Sequence, residues 1–346
     1  MKEGNAMELQ CLYRTGEGPY HGYRIPAMIT LDTGRVIAFA EGRLENMGDN
    51  GSIDIVARIS DDGGASFGPL FPVAQFGKNT LNNPVPVYDR DAGVLWLLMN
   101  GNLKEDGEVK ILWEGAGRTV VCASSRDGGS TWSELIDLTD QVKPMDWTWY
   151  AMGPCHGAQL KSGRLIIPCN HAVKKSEGGS GPYISHTVYS DDHGMTWRVG
   201  GDVGENTNEC SLAQLPDGRL YINMRSYHGK GARAAAWSAD EGISWQNLRL
   251  DSQLPDPVCQ GTALAVGNTL YFCNAADSKE RQRLTVRKST DGGETWSAGT
   301  VIHSGPAAYS DLTLLPDGNI ACLFEGGEQD AYEGIFLAVL TPDEIQ

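Results

Sequence analysis

The chain has 346 residues, 40% of them hydrophobic, a length above that of an ordinary single domain unless the fold is built from repeats. A formal net charge of −16 leaves no basic face for nucleic acid, and no apolar run approaches the roughly 20 residues that cross a bilayer, so no membrane span is expected. The eight cysteines stand singly, with no CxxC pair and no metal-ligand spacing, and read as buried thiols; neither a metal nor a cofactor is expected. The opening Met1-Lys2-Glu3-Gly4-Asn5 lacks the charged-then-apolar layout of a signal peptide. As it stands the chain is expected in the cytoplasm, or secreted if a signal peptide has been removed from it.

Along the chain, Tyr23-Arg24-Ile25-Pro26 opens an apolar run that Gly34 interrupts, and a second run ends in Glu41-Gly42-Arg43. A loop with Asp49 follows, then Ile53-Asp54-Ile55-Val56 and the segment Ser60 to Phe67. This order predicts strand, tight turn, strand, loop, strand, hairpin. The Gly turn recurs at Gly93, Gly163, Gly218, Gly267 and Gly318, at spacings of 49 to 70 residues. The hairpin pattern Ser-x-Asp-x-Gly-x-(Ser/Thr)-(Trp/Phe) recurs as Ser125 to Trp132, Ser190 to Trp197, Ser238 to Trp245 and Ser289 to Trp296. In such a hairpin the Asp accepts hydrogen bonds from turn amides, the Gly takes a positive φ, and the aromatic ring packs between neighbouring sheets. Calcium loops share the Asp and Gly but need further oxygen ligands and a closing Glu on a helix, which these hairpins lack. Six units of about four strands predict an all-β chain, a six-bladed β-propeller with four-stranded antiparallel blades, filling residues 1–346 as a single catalytic domain.

Up-and-down units of this kind put both series of turns on one face. The other face receives the starts of first strands, the ends of second strands and the loops after them. Arg24, Glu209 and Tyr309 stand at first-strand starts; Arg43, Arg225 and Glu325 stand at second-strand ends; Asp49 lies in a following loop, and Arg281 precedes the third strand of the fifth unit. A charge flush against an apolar strand is costly unless it is paired or used. Any one of these residues reads as a surface ion pair, whereas eight on one face from separate units read as a charged cleft. Arginines converging there dominate the local field, so the acidic net charge does not exclude an anionic substrate.

Taken together, Tyr23-Arg24-Ile25-Pro26, Phe39-Ala40-Glu41-Gly42-Arg43, Asp49-Asn50 with Ile53-Asp54, Asn208-Glu209-Cys210, Asn223-Met224-Arg225-Ser226, Ala308-Tyr309-Ser310-Asp311-Leu312 and the five hairpins resemble the sialidase (neuraminidase) family of bacterial and animal type, related also to trans-sialidases. The likeness covers nearly the whole chain. It implies an exo-sialidase acting on sialylated oligosaccharides, glycoproteins or glycolipids. It also implies that Arg24, Arg225 and Arg281 hold the sugar carboxylate, with Arg283 competing for the third place, that Glu325 orients Arg24, and that Arg43 contacts the sugar. Guanidinium forks suit a carboxylate because they bind it bidentately and stay charged. Tyr309 resembles the nucleophile, Glu209 its base and Asp49 the acid/base, preferred over Asp54, which reads as a strand residue. A neutral phenol avoids the repulsion that an anionic nucleophile meets beside the carboxylate on the anomeric carbon. The acid role predicts an Asp49 pKa raised by burial and opposed by the arginines, with a mildly acidic to neutral optimum.

Some relatives carry tyrosines for the sugar's glycerol tail where this chain has Asn170-His171-Ala172, which leaves N-acetyl, N-glycolyl and KDN preference open. His156 and His171 adjoin no candidate nucleophile and read as structural. Trp147, Trp149 and Tyr150 read equally as an aglycone platform or as packing between blades. A trans-sialidase or a KDN-preferring glycosidase would use the same site, and a non-catalytic sialoglycan-binding propeller is the alternative of a different class.

Overall fold

The computed structural model describes residues 8–346, and the opening Met1–Asn5 lies outside the described residues. Gly22–Thr30 pairs antiparallel with Val36–Arg43, that strand with Ile53–Ser60, and the last with the short Phe71–Ala74. The same succession repeats in Thr80–Asp89, Val94–Asn102, Thr119–Ser125 and Ile136–Asp137, in Thr207–Gln214, Leu220–Ser226, Ala232–Ser238 and Gln246–Pro255, and, with split edges, around Leu165–Lys174 and Ser180–Ser190. Gly261–Val266 pairs with Thr269–Ala275, that strand with Gln282–Ser289, and the last with the first half of Thr300–Leu314. The second half of Thr300–Leu314 pairs with Ile320–Gly326, which pairs with Gly334–Leu340, and Leu9–Arg14 adds the outer strand of that last unit.

Hydrogen bonding joins these units into four sheets of eight, six, four and seven strands. Two local features cause the merging. A parallel bridge, Ile53 to Thr80, links the first two units, and Thr300–Leu314 runs without a break from the fifth unit into the sixth. The first strands lie against one another in sequence: Gly22–Thr30 on Thr80–Asp89, that on Ala158–Gln159, then Thr207–Gln214, Gly261–Val266 and Thr300–Leu314, which returns to Gly22–Thr30.

The turns behave as their residues dictate. Gly34, Gly93, Gly163, Gly218, Gly267 and Gly318 all have positive φ, from 56° to 96°, where a side chain is strained. In the five hairpins the Asp carboxylate is consumed by its own turn: in the third, Asp192 accepts the Thr196 amide at 2.9 Å and its hydroxyl at 2.6 Å, and Ser190 Oγ donates to Asp192 at 2.8 Å. The aromatic residue that closes each hairpin packs on the preceding unit, as Trp132 does edge-on to Phe39 at 6.0 Å between centroids and Trp296 to Tyr221 at 6.0 Å. Buried apolar clusters therefore lie between consecutive units. No helix among the described residues is long and apolar enough to cross a membrane.

Candidate active site

Register shifts fall near the starts of Gly22–Thr30, Thr80–Asp89 and Thr207–Gln214, between Arg24 and Ala27, Asn82 and Val85, and Thr207 and Cys210, in Trp147–Met152 between Trp147 and Tyr150, and where Thr300–Leu314 passes into the last unit, between Ala307 and Ser310. A β-bulge bends its strand and re-aims the side chains beside it. Ile25 and Asn83 reach positive φ there, 56° and 55°. The consequence is that Arg24, Glu209 and Tyr309 leave the regular alternation and meet in a cleft of about 190 Å³, also lined by Arg43, Asp49, Arg225 and Arg281.

Glu325 ties this cleft together from below. Fully buried, it accepts Arg24 Nε at 3.0 Å and an Arg24 terminal nitrogen at 3.2 Å, the Ile25 amide at 2.8 Å and the Tyr309 amide at 3.2 Å. The phenol of Tyr309 donates to Glu209 Oε1 at 2.6 Å. Arg225 donates to the other Glu209 oxygen at 2.8 Å and to the Tyr309 oxygen at 3.2 Å. Arg281 stands 5.6 Å from the Tyr309 ring centre and donates to Tyr332 Oη at 2.7 Å and to the Val258 carbonyl at 3.4 Å.

Asp49 occupies the mouth, with 80% of its side-chain surface exposed. It pairs with Arg24 at 3.2 Å and Arg43 at 2.8 Å. Arg43 is almost wholly buried; besides Asp49 it holds Glu41 at 2.6 Å and the Met47 carbonyl at 2.5 Å, so it fixes the loop that carries Asp49. The surrounding protein raises the Asp49 carboxyl, but Arg43, Arg24 and Arg281 lower it more, and it lies below the ordinary carboxylate range. This corrects the expectation of a raised value: burial is incomplete at the mouth, and three guanidiniums surround the group. The Tyr309 phenol is held well above its ordinary value by burial and by the Glu209 charge, against the opposing pull of Arg225 and Arg281. The site thus keeps the phenol neutral, with its proton directed at Glu209.

The competing residues lie elsewhere. Asp54 is buried in its strand and accepts Tyr20 Oη at 2.9 Å and Gln75 Nε2 at 2.8 Å. Arg283 is exposed and does not line the cleft. His156 pairs with the buried Asp311 at 2.7 Å, facing a larger cavity of about 720 Å³ at the opposite, Gly-turn end of the first strands. That cavity holds none of the eight candidate residues. His171 is stacked on Trp147 at 3.5 Å, and burial pushes it down to about 3. The aromatic cluster divides: Trp147 and Tyr150 pack between units, whereas Trp149 lines the cleft.

Sequence reasoning passed over four residues here. Arg118, buried, donates to Asn102 at 2.8 Å, to Asn82 at 2.9 Å and to the Tyr150 carbonyl, with its guanidinium 4.3 Å from the Trp149 ring centre. Glu41 was visible as an acid inside an apolar run. Tyr227 lies 5.2 Å from the Arg225 guanidinium and Tyr332 4.3 Å from that of Arg24, each measured to the ring centre; neither stands in a motif that marks it.

The BNR repeat-like domain family matches residues 34–322. An exo-alpha-sialidase of Aspergillus fumigatus is 35% identical over 342 residues, which cover 90% of this chain and 80% of the relative. Sialidase-2 of Mus musculus is 31% identical, with coverage of 97% and 95%. Among solved structures, the Hadza microbial sialidase Hz136 is similar with a TM-score of 0.89 at 26% identity, over 98% of this chain and 69% of that one.

Proposed function

Since the chain belongs to the sialidase family and is a glycoside hydrolase that hydrolyses sialic acids, we propose that it removes terminal sialic acids from oligosaccharides, glycoproteins or glycolipids with retention of configuration, through a tyrosyl-enzyme intermediate. The observation that carries this reading is the 2.6 Å bond from Tyr309 to Glu209 where Arg24, Arg225 and Arg281 converge. The sugar carboxylate enters between the three guanidiniums. Tyr309 oxygen bonds to the anomeric carbon as its proton passes to Glu209, while the aglycone oxygen leaves with a proton from Asp49. Asp49, now a carboxylate, then takes a proton from water, whose oxygen displaces Tyr309, and the phenolate recovers its proton from Glu209. Two inversions give net retention. Arg43 supports the reading by holding Asp49, and Glu325 by holding Arg24 against the Tyr309 strand.

The same reading takes the six antiparallel units as six blades of one propeller, and residues 1–346 as a single catalytic domain. The recurring Gly turns and the ring of first strands support it.

Release of 4-methylumbelliferone from its α-N-acetylneuraminic acid glycoside tests the proposal. The wild type is expected to turn over, and Tyr309→Phe to lose roughly a thousandfold or more in kcat. A mutant with near wild-type turnover refutes the tyrosine mechanism. A wild type active only on the corresponding KDN glycoside moves the substrate preference, transfer to added lactose identifies a trans-sialidase, and binding of sialosides without any turnover identifies a non-catalytic propeller.

A further inference from the structure

The three arginines of the cleft are compensated unequally. Arg24 holds both oxygens of Glu325, and Arg225 holds Glu209. Arg281 forms no ion pair among the described residues; its hydrogen bonds go to the Tyr332 hydroxyl and the Val258 carbonyl. Tyr332 also lies against the guanidinium of Arg24, 4.3 Å from its ring centre. One side chain therefore touches two of the three arginines, by its face and by its hydroxyl.

We propose that Tyr332 is a positioning residue for carboxylate recognition, setting the relative orientation of Arg24 and Arg281 while leaving the charge of Arg281 free for the substrate. This rests on the reading of the arginine trio above. A carboxylate in place of the phenol would orient Arg281 equally well but would also neutralise it, so the sugar carboxylate would have to displace a competing anion. A phenol orients without competing. The loop that carries Tyr332 is held on both sides of the ring. Glu333 accepts the amides of Glu328, Gln329 and Asp330 at 3.2, 2.7 and 2.9 Å. Asp330 accepts the Tyr332 amide at 2.8 Å, and Thr15 Oγ1 donates to the Tyr332 carbonyl at 2.7 Å. This rigidity transmits the position of the backbone to the two guanidiniums.

Tyr332→Phe keeps the ring over Arg24 and removes only the hydroxyl from Arg281. The sugar carboxylate stays ionised through the reaction, so its binding is nearly uniform between ground and transition states, and the loss appears in KM. On the 4-methylumbelliferyl sialoside the variant is expected to show roughly a tenfold rise in KM, with kcat kept within about threefold. Inhibition by free N-acetylneuraminic acid and by its methyl ester separates positioning from mere support. The wild type favours the acid, and in the variant that preference shrinks by the same factor as KM rises. In an Arg281→Lys background, where the fork is already lost, Tyr332→Phe adds nothing further. An unchanged KM, an equal weakening of acid and ester, or additive effects in the double variant each overturn the proposal. A wild type that turns over but does not favour the acid overturns the trio reading itself, and the role of Tyr332 with it.

Discussion

The proposed mechanism asks Asp49 to donate a proton, yet its carboxyl is tuned in the opposite direction, and the cause lies in its neighbours. Arg43, Arg24 and Arg281 hold it below the ordinary range. A substrate carboxylate between Arg24 and Arg281 offsets part of that field, so binding raises the Asp49 pKa toward the value that proton donation needs. The alkaline limb of kcat, which reports the bound enzyme, is therefore expected at higher pH than the alkaline limb of kcat/KM, which reports the free enzyme. Coincident limbs across a full pH profile of both parameters would contradict this. The identities of Arg24, Arg225, Tyr309, Glu209 and Glu325 were legible in short motifs, because charged or phenolic residues abutting apolar runs are few. The Asp49 pKa was not legible: its sign depends on the balance of enclosure against three guanidiniums from residues 24, 43 and 281, which only folding brings together.

At the scale of the element, the Ser-x-Asp-x-Gly hairpins are local structures whose hydrogen bonds close within about five residues, which is why the sequence pattern read them correctly. Their carboxylates are pulled down by those bonds, to about 2 at Asp62, Asp127 and Asp291. A group more acidic in the folded than in the unfolded chain stabilises the fold above its unfolded pKa, and that contribution disappears as pH falls from about 4 through about 2. Acid unfolding is expected in that window. Asp192→Ala, which removes three turn hydrogen bonds from an exposed hairpin, is expected to cost about 1–2 kcal/mol in denaturant melts and to leave kcat unchanged. A fall in kcat at constant folded fraction would mean that this hairpin face communicates with the cleft. The bulges at the starts of the first strands had no sequence signature, since an extra residue in a strand shows only against its partner's register. They nevertheless decide where Arg24, Glu209 and Tyr309 point.

For the whole molecule, the outer strand Leu9–Arg14 is supplied from the start of the chain to the last unit, pairing with Gly334–Leu340, and Tyr13 adds a 2.6 Å bond to the Ala38 carbonyl of the first unit. A chain beginning at Thr15 would expose the edge of Gly334–Leu340 and open the apolar cluster that joins the last unit to the first. It is expected to melt well below the full chain and to aggregate on heating; an equal Tm would show that this clasp contributes nothing. The net charge of −16 does not exclude an anion from the cleft, because five arginines gather in its lining beside five carboxylates, and a guanidinium acts on a bound anion over a few ångströms whatever the charge of the whole surface.

By itself the sequence determined the all-β character, the repeating strand and turn order and those cleft residues that stand in short motifs, Arg24, Arg43, Glu209, Arg225 and Tyr309, because each of these depends on alternation, on turn chemistry within a few residues, or on motifs a few residues long. Only the tertiary structure decided which units share sheets, through the Ile53 to Thr80 bridge and the unbroken Thr300–Leu314 strand. It alone set Arg281 in the cleft and Arg283 outside it, lowered the Asp49 carboxyl, and brought Tyr332 against two arginines from residues 24 and 281. The physical reason is common to all of these: orientation and electrostatic environment are properties of contacts between distant segments, and a one-dimensional pattern does not encode which of those contacts close.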